Sequence, residues 1–217
     1  MAIAKWFQRT LLVTALLSFT LVNSCRPVVL PVAVMSDGRL LYSESAVAYT
    51  SRVSPEQKLA IQQGMDIWSD ALGGGITYHE IPNTANDLKM AAGHRFLGTC
   101  SRVILYDIVK ADDQRIVDED KEKENEHKQT IGLTYERPCG ITLVLLVPER
   151  LKSHQDVVET AAHEFGHALG LDHVDSEGAI MHKTHSEKTK GCLLPDDAEE
   201  LCDNLHCLVD DVKLCPG

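Results

Sequence analysis

The feature that most constrains this chain is the run HEFGHALGLDH, which begins at His163. On a helix, His163 and His167 lie one turn apart, so both imidazoles leave the same face with Glu164 beside them. His173 cannot join that face by continuing the helix, because the intervening residues carry it round the axis. Gly170 can leave a helix in a left-handed conformation without a side-chain clash. The spacing therefore predicts a helix, a break and a return that bring three imidazole nitrogens to one point.

Three imidazoles around an open fourth position are typical of a catalytic zinc site rather than a structural one. We therefore predict that His163, His167 and His173 bind Zn²⁺ and that Glu164 reaches a water on the metal. The alternative is that these histidines are unrelated surface or core residues. In a chain of this composition the whole pattern should arise by chance on the order of once in ten thousand sequences, which favours the metal site.

The composition is that of a globular protein with an excess of acidic residues. The chain has 217 residues, enough for one domain with a substantial core, and is 44% hydrophobic and 24% charged. Its formal net charge of −11 argues against nucleic acid or an anionic membrane surface as a partner.

The N-terminus has the features of an export signal. In residues 1–24 a basic start precedes an apolar run at 11–22, which is short for a membrane span. The sequence VNSC at 22–25 resembles the lipobox of bacterial lipoproteins, in which the cysteine becomes the lipidated N-terminus. We therefore expect a bacterial cell-envelope lipoprotein held by Cys25 and a tether at 25–43. Ordinary cleavage and secretion is the alternative.

The chain has seven cysteines, and an exported chain usually pairs its thiols. Assigning Cys25 to lipid leaves six, of which four lie in the C-terminal segment 192–215. Their spacings lack a C-x-x-C pair, which favours disulfides over a second zinc site. Cys100 and Cys139 remain as natural partners, whereas the connectivity of the other four stays open.

Capping signals and periodicity predict helices and strands in an α+β arrangement. Residues 54–57 begin a helix that the glycines 73–75 end. Ser153 and Asp156 cap the helix that carries the histidine motif, and a last helix is predicted over 195–208. Strands are predicted at residues 46–53, 76–81, 87–91, 103–108, 130–135 and 141–147.

Residues 110–129 are rich in Asp, Glu and Lys and contain almost no apolar side chain. Such a segment buries too little surface to order itself, so we predict a solvated, mobile loop. Calcium binding is the alternative, but the spacing of an EF-hand and its glycine are lacking.

The extended histidine motif is that of the metzincin zinc endopeptidases. Their second hallmark is a methionine in a tight turn under the metal, and Met181 supplies it eight residues after His173. This interval and the sequence Ala-Ile-Met resemble the matrixin branch most, and the resemblance extends over residues 44–208. It implies a metzincin-like catalytic domain at 44–217, with a twisted mixed sheet packed on the active-site helix and a small C-terminal lobe.

The resemblance also implies a zinc-dependent endopeptidase that hydrolyses protein or peptide substrates. In this mechanism a metal-activated water attacks the scissile carbonyl while Glu164 acts as general base. The substrate would add an extended strand to the sheet edge at 130–135, where Gly132 and Leu133 would give backbone hydrogen bonds. Met181 would form the floor of the site. We expect a monomer.

Some matrixin features have no counterpart in this sequence. After Met181 the family continues with Tyr and Pro in a wall of the specificity pocket, whereas this chain continues His182-Lys183-Thr184-His185. No tyrosine follows Tyr135, so the tyrosine ligand of the astacin and serralysin branches is absent. The latency peptide and the structural-zinc and calcium loops are also absent.

A few other polar residues are candidates for roles near this site. His182 and His185 could line the cleft, and Asp172 could orient a ligand imidazole. Five further histidines fit ordinary surface roles: His79, His94, His127, His154 and His206. Two other functions remain open, a non-catalytic envelope protein that binds zinc or peptide and a narrow-specificity amidase acting on cell-wall peptides. Glu164 counts against the first, because a site that only binds has no use for that carboxylate.

Overall fold

The computed structural model describes residues 33–34, 40–41, 43–85, 87–88, 91, 95–96, 99–100, 102–122, 129–135, 141–184, 189 and 191–216. The predicted signal peptide, Cys25 and Cys139 lie outside the described residues, so the lipid anchor and the Cys100–Cys139 pair stay predictions. Three of the histidines also lie outside them: His94, His127 and His185.

The domain is built on a five-stranded mixed sheet, with two short strand pairs apart from it. The strands are β1 Ala33–Val34, β2 Leu40–Leu41, β3 Ser43–Tyr49, β4 Ile76–Glu80, β5 Arg95–Phe96, β6 Thr99–Cys100, β7 Arg102–Ile108, β8 Gly132–Tyr135 and β9 Ile141–Leu146. The strand order of the sheet is β4-β3-β7-β9-β8. Neighbouring strands are parallel except for β8, which runs antiparallel to β9 at one edge. The short pairs, β1–β2 and β5–β6, are antiparallel.

α-Helices accompany the strands, and together they give the α+β architecture that the sequence predicts. The helices that are described along their whole length are α1 Pro55–Ala71, α2 Gln114–Glu122, α3 His154–Leu169 and α4 Pro195–Leu205. Short 3₁₀ turns at Pro148–Arg150 and Val209–Asp211 follow β9 and α4. None of the helices in the described part of the chain is long and apolar enough to span a membrane.

The main core lies where α1 and α3 pack together over the sheet. Trp68 is fully buried there, and its indole N–H donates to the carbonyl of Ala162 at 2.8 Å. The two helices approach closely at Gly64, where a side-chain carbon would lie 2.6 Å from the carbonyl oxygen of Val158. This close packing fixes the motif helix against the rest of the domain.

The prediction of a mobile loop over 110–129 is wrong for residues 114–122, which form α2. Ile116 is fully buried and packs against Val109, Leu145 and Val147. An ion pair of 2.8 Å joins Asp120 to Arg150 beyond β9. One apolar anchor and one distant guanidinium therefore order a segment whose own composition is typical of disorder.

Smaller corrections concern the bounds of other elements. Asp87, Leu88 and Ala91 are helical rather than extended, because the hydroxyl of Thr84 accepts from the Asp87 N–H and starts a turn. The strand predicted at 46–53 begins earlier and ends at Tyr49. The last helix ends at Leu205 instead of residue 208, because His206 takes a left-handed conformation.

Two disulfides join the four C-terminal cysteines and confirm that these thiols are paired with each other. Cys192 bonds Cys215, and Cys202 bonds Cys207 across the end of α4. The first bridge ties the segment before α4 to the C-terminus, where the Cys215 N–H also donates to Leu193. The C-terminal lobe is therefore held covalently at both ends of α4.

Candidate metal centre

The motif helix α3 begins and ends where the sequence predicts. The Ser153 hydroxyl accepts from the Asp156 N–H at 3.1 Å, and the Asp156 carboxylate accepts from the Ser153 N–H at 3.0 Å. This capping box starts the helix, and Gly170 ends it with a φ of 96°. The left-handed glycine turns the chain so that His173 returns toward the face that carries His163 and His167.

The three imidazoles converge as predicted. The Nε2 atom of His173 lies 3.1 Å from that of His167 and 3.3 Å from that of His163. Two corners of a zinc tetrahedron with Zn–N bonds of about 2.0–2.1 Å are about 3.3–3.4 Å apart. The two separations from His173 are therefore close to what one zinc ion requires, and all three ligand nitrogens lie within 4.8 Å of one another. Among the His, Cys, Asp and Glu side chains of the described residues, these three histidines are arranged so that they could hold a metal ion.

The tautomers of two ligands are set by backbone carbonyls. His163 Nδ1 donates to the carbonyl of Ile180 at 2.7 Å, and His167 Nδ1 donates to that of Leu171 at 2.8 Å. A carbonyl can only accept, so each Nδ1 carries the proton and each Nε2 presents a lone pair. The Nε2 lone pairs of His163 and His167 are therefore available to a metal ion, and with His173 the donor set fits zinc.

Met181 lies directly against the motif helix. It is fully buried, and its backbone carbonyl accepts from the Val174 N–H at 3.0 Å. A side-chain carbon added at Gly166 would collide with its Sδ atom. The thioether therefore packs on the helix backbone one residue before His167, where it can support the ligand face from below.

A buried carboxylate holds the turn that carries Met181. Asp197, on the first turn of α4, is fully buried and accepts from the N–H groups of Ile180 and Met181 at 3.0 and 2.9 Å. It also accepts from Leu194 at 2.9 Å. Burial raises its pKa, and the three backbone donors oppose that shift. Because the carbonyl of Ile180 also accepts from His163, Asp197 is linked through Ile180 to a predicted metal ligand.

Glu164 is almost fully buried and is held by the edge strand. The hydroxyl of Thr134 lies 2.5 Å from the Glu164 Oε2 atom and 3.2 Å from its backbone carbonyl. A hydroxyl donates one proton, and the shorter contact indicates that the carboxylate receives it. Thr134 is not among the predicted site residues, although it shares a strand face with the predicted residue Gly132 at the period of two.

Gly132 lies against the same carboxylate. A side-chain carbon at this position would lie 2.8 Å from Cγ and 2.9 Å from Cδ of Glu164, closer than carbon atoms approach. Leu133 points to the other face of β8 and packs with the cluster around Ile116. The absence of a side chain at Gly132 thus leaves room for the Glu164 carboxylate. The predicted backbone contact of Gly132 with substrate stays a prediction.

We expect Gly132→Ala to lower kcat/KM for peptide cleavage by about 10- to 100-fold, because the added methyl group displaces Glu164 and small misplacements of catalytic groups are costly. Peptide cleavage and zinc content should be measured together, and zinc binding should persist. The variant retains the backbone N–H and carbonyl of residue 132. If the glycine served only to hydrogen-bond substrate, turnover would remain unchanged, and the steric role would be refuted.

Other polar residues considered from the sequence are not part of the group of three nitrogens. His182 is half-buried, and its Nδ1 atom lies 2.9 Å from the carbonyl of Thr184 in a local turn. Asp172 donates its backbone N–H to Glu200 at 2.9 Å, so this contact does not involve the carboxylate that was expected to orient a ligand imidazole. Exposed His154 contacts Gln63, which agrees with an ordinary surface role.

The family model for matrixins matches residues 43–206 of this chain, a range that includes the sheet, the motif helix and the methionine turn. Among solved structures, the chain is similar to archaemetzincin from Methanopyrus kandleri, with a TM-score of 0.44 and 16% sequence identity. That alignment covers 76% of this chain and 96% of the other. A comparison with curated protein sequences finds no match.

Proposed function

This chain belongs to the matrixin family and is a zinc metallopeptidase, and we propose that it is an endopeptidase in which Glu164 is the general base. One observation carries the proposal. The Glu164 carboxylate is buried next to His163, and it is held by Thr134 and bounded by Gly132 on the edge strand. A protein that only binds zinc or peptide needs no carboxylate fixed in this way.

Zinc bound by three imidazoles supplies Lewis-acid polarisation of a carbonyl oxygen and makes a water molecule more acidic. The residues of the chain provide the rest. Thr134 donates to Oε2 of Glu164 and fixes the carboxylate, which in this proposal takes a proton from the attacking water. The carboxylate then returns the proton to the leaving amine. Ile180 and Leu171 keep two imidazoles oriented throughout.

We propose that substrate binds as an extended strand beside β8. Among the described strands, β8 has a neighbour on one side only, so its other side can accept another strand. Glu164 contacts β8 at Gly132 and Thr134, which brings the general base to this edge. A substrate paired here would place its scissile carbonyl near the three imidazoles.

The metal requirement is tested by zinc content and cleavage of a quenched-peptide library. We expect one zinc per chain and turnover that a chelator abolishes and added zinc restores. His167→Ala should lose the zinc, because two imidazoles remain, whereas the matched control His182→Ala should retain it. Equal zinc content in the two variants would contradict the assigned ligands. Zinc binding without turnover on the library would instead favour the narrow-specificity amidase.

We also propose that the protein is exported and anchored by lipid on Cys25. The basic and apolar N-terminal segment and the lipobox-like sequence support this, and the two disulfides suit an oxidising compartment. Mass spectrometry of the mature N-terminus tests it. A diacylated Cys25 that disappears in Cys25→Ser is expected, and an unmodified N-terminus elsewhere would favour secretion.

A further inference from the structure

The third imidazole depends on its surroundings more than the other two. His163 and His167 are half-buried on a rigid helix, whereas His173 is exposed on the loop that follows Gly170. Contacts within the motif hold this loop at Leu171, and contacts from elsewhere hold the backbone nearer to the imidazole. The loop is short, so a shift of its backbone moves the imidazole directly out of the position that zinc requires.

One face of α4 supplies those contacts. Asn204 Nδ2 donates to the carbonyl of Gly170, where α3 ends. The Glu200 carboxylate accepts from the N–H of Asp172 at 2.9 Å, one residue before His173. Glu200 and Asn204 are four residues apart and so lie on the same side of α4. The helix thus holds the loop at its start and immediately before the ligand.

The position of α4 is itself well determined. Its first turn carries buried Asp197, which accepts hydrogen bonds from Ile180 and Met181 in the methionine turn. Its end is closed by the Cys202–Cys207 disulfide, which encloses Asn204. Both Glu200 and Asn204 are half-buried. The hydrogen bond of Asn204 is partly buried, whereas that of Glu200 is exposed, so water competes more strongly for the second.

From these contacts we infer that Glu200 and Asn204 are positioning residues of the metal centre, which set the place of His173 by fixing the loop backbone at Gly170 and at Asp172. Neither residue touches the metal. The inference rests on the histidine ligands in the proposed function, which the His167→Ala experiment tests separately.

The test is the affinity of the apo protein for zinc, measured by competition with a chromophoric chelator. Loss of an outer contact to a metal ligand typically costs about 10- to 100-fold in metal affinity, and we expect this from Glu200→Ala. Glu200→Gln retains an acceptor oxygen for the Asp172 N–H and should keep the affinity near that of the wild type. Glu199→Ala is the matched control, since it removes the same charge from an exposed position on the same helix turn.

A second variant guards against a fold defect. Asn204→Asp keeps the size of the side chain but cannot donate to the Gly170 carbonyl, so it should also weaken zinc binding. Amide hydrogen exchange of residues 170–173 should become faster in both weakened variants while that of α1 stays unchanged. Wild-type affinity in Glu200→Ala and Asn204→Asp would overturn the inference, and so would equal losses in Glu200→Ala and Glu199→Ala. Failure of the wild type to bind zinc would instead refute the metal site itself.

Discussion

Glu164→Gln is expected to lower kcat/KM for peptide cleavage by about 10²- to 10⁴-fold, the usual contribution of a general base, while the protein still binds one zinc. The amide keeps the size of the side chain and an acceptor oxygen for Thr134, so the site should retain its geometry. It lacks the basic oxygen that, in the proposed mechanism, takes a proton from the attacking water. The change should therefore appear in kcat, because the proposal assigns substrate binding mainly to the strand edge.

Zinc content, kcat and KM should be compared with those of Glu159→Gln. Glu159 is also a buried carboxylate on α3, and it accepts from Gln155 at 2.9 Å one turn before the ligands. This control makes the same chemical change in the same helix and should leave turnover nearly unchanged. Wild-type turnover in Glu164→Gln would refute its role as base, and loss of zinc from that variant would assign it a structural role.

The metal ligands could be predicted because all the information lies within one helix and the turn that follows it. The spacing of His163, His167 and His173 and the glycine before the last of them determine where the three nitrogens meet. The helix that carries them was equally predictable, since Ser153 and Asp156 form a local capping box. In both cases the partners lie a few residues apart in the chain.

The residues that surround the ligands could not be predicted, because their partners are distant in sequence. Thr134 and Glu164 are separated by 30 positions, and only the pairing of β8 at the sheet edge brings them together. The clash that requires glycine at 132 depends on the same placement. No local pattern encodes the order in which five strands assemble.

The error over α2 has the same origin. Judged by its own residues, the segment has too little apolar surface to fold, and a composition argument treats it in isolation. Ile116 is nevertheless buried against β9 residues, and Arg150 binds both Asp120 and the carbonyl of Thr130. These contacts also hold the start of β8. The acidic segment therefore stabilises the strand that positions Glu164.

Asp197→Ala is expected to lower the free energy of unfolding of the apo protein by about 2–3 kcal/mol, since it leaves two buried N–H groups and one half-buried N–H group without their acceptor at about 1 kcal/mol each. Denaturant titration measures this loss. The adjacent variant Asp196→Ala is the control, because Asp196 accepts one hydroxyl, from Ser176, and should cost about 0.5–1.5 kcal/mol.

The same variant links stability to the metal centre. Without Asp197 the N–H groups of Ile180 and Met181 lose their anchor, so the carbonyl that orients His163 is free to move. Zinc affinity should then fall together with stability, even though the three ligands remain. If Asp197→Ala unfolds more easily but binds zinc as the wild type does, α3 alone orients His163 and the turn serves only the fold. A joint loss would show that the first turn of α4 positions His163 through Ile180, in addition to the contacts that Glu200 and Asn204 make with the loop before His173.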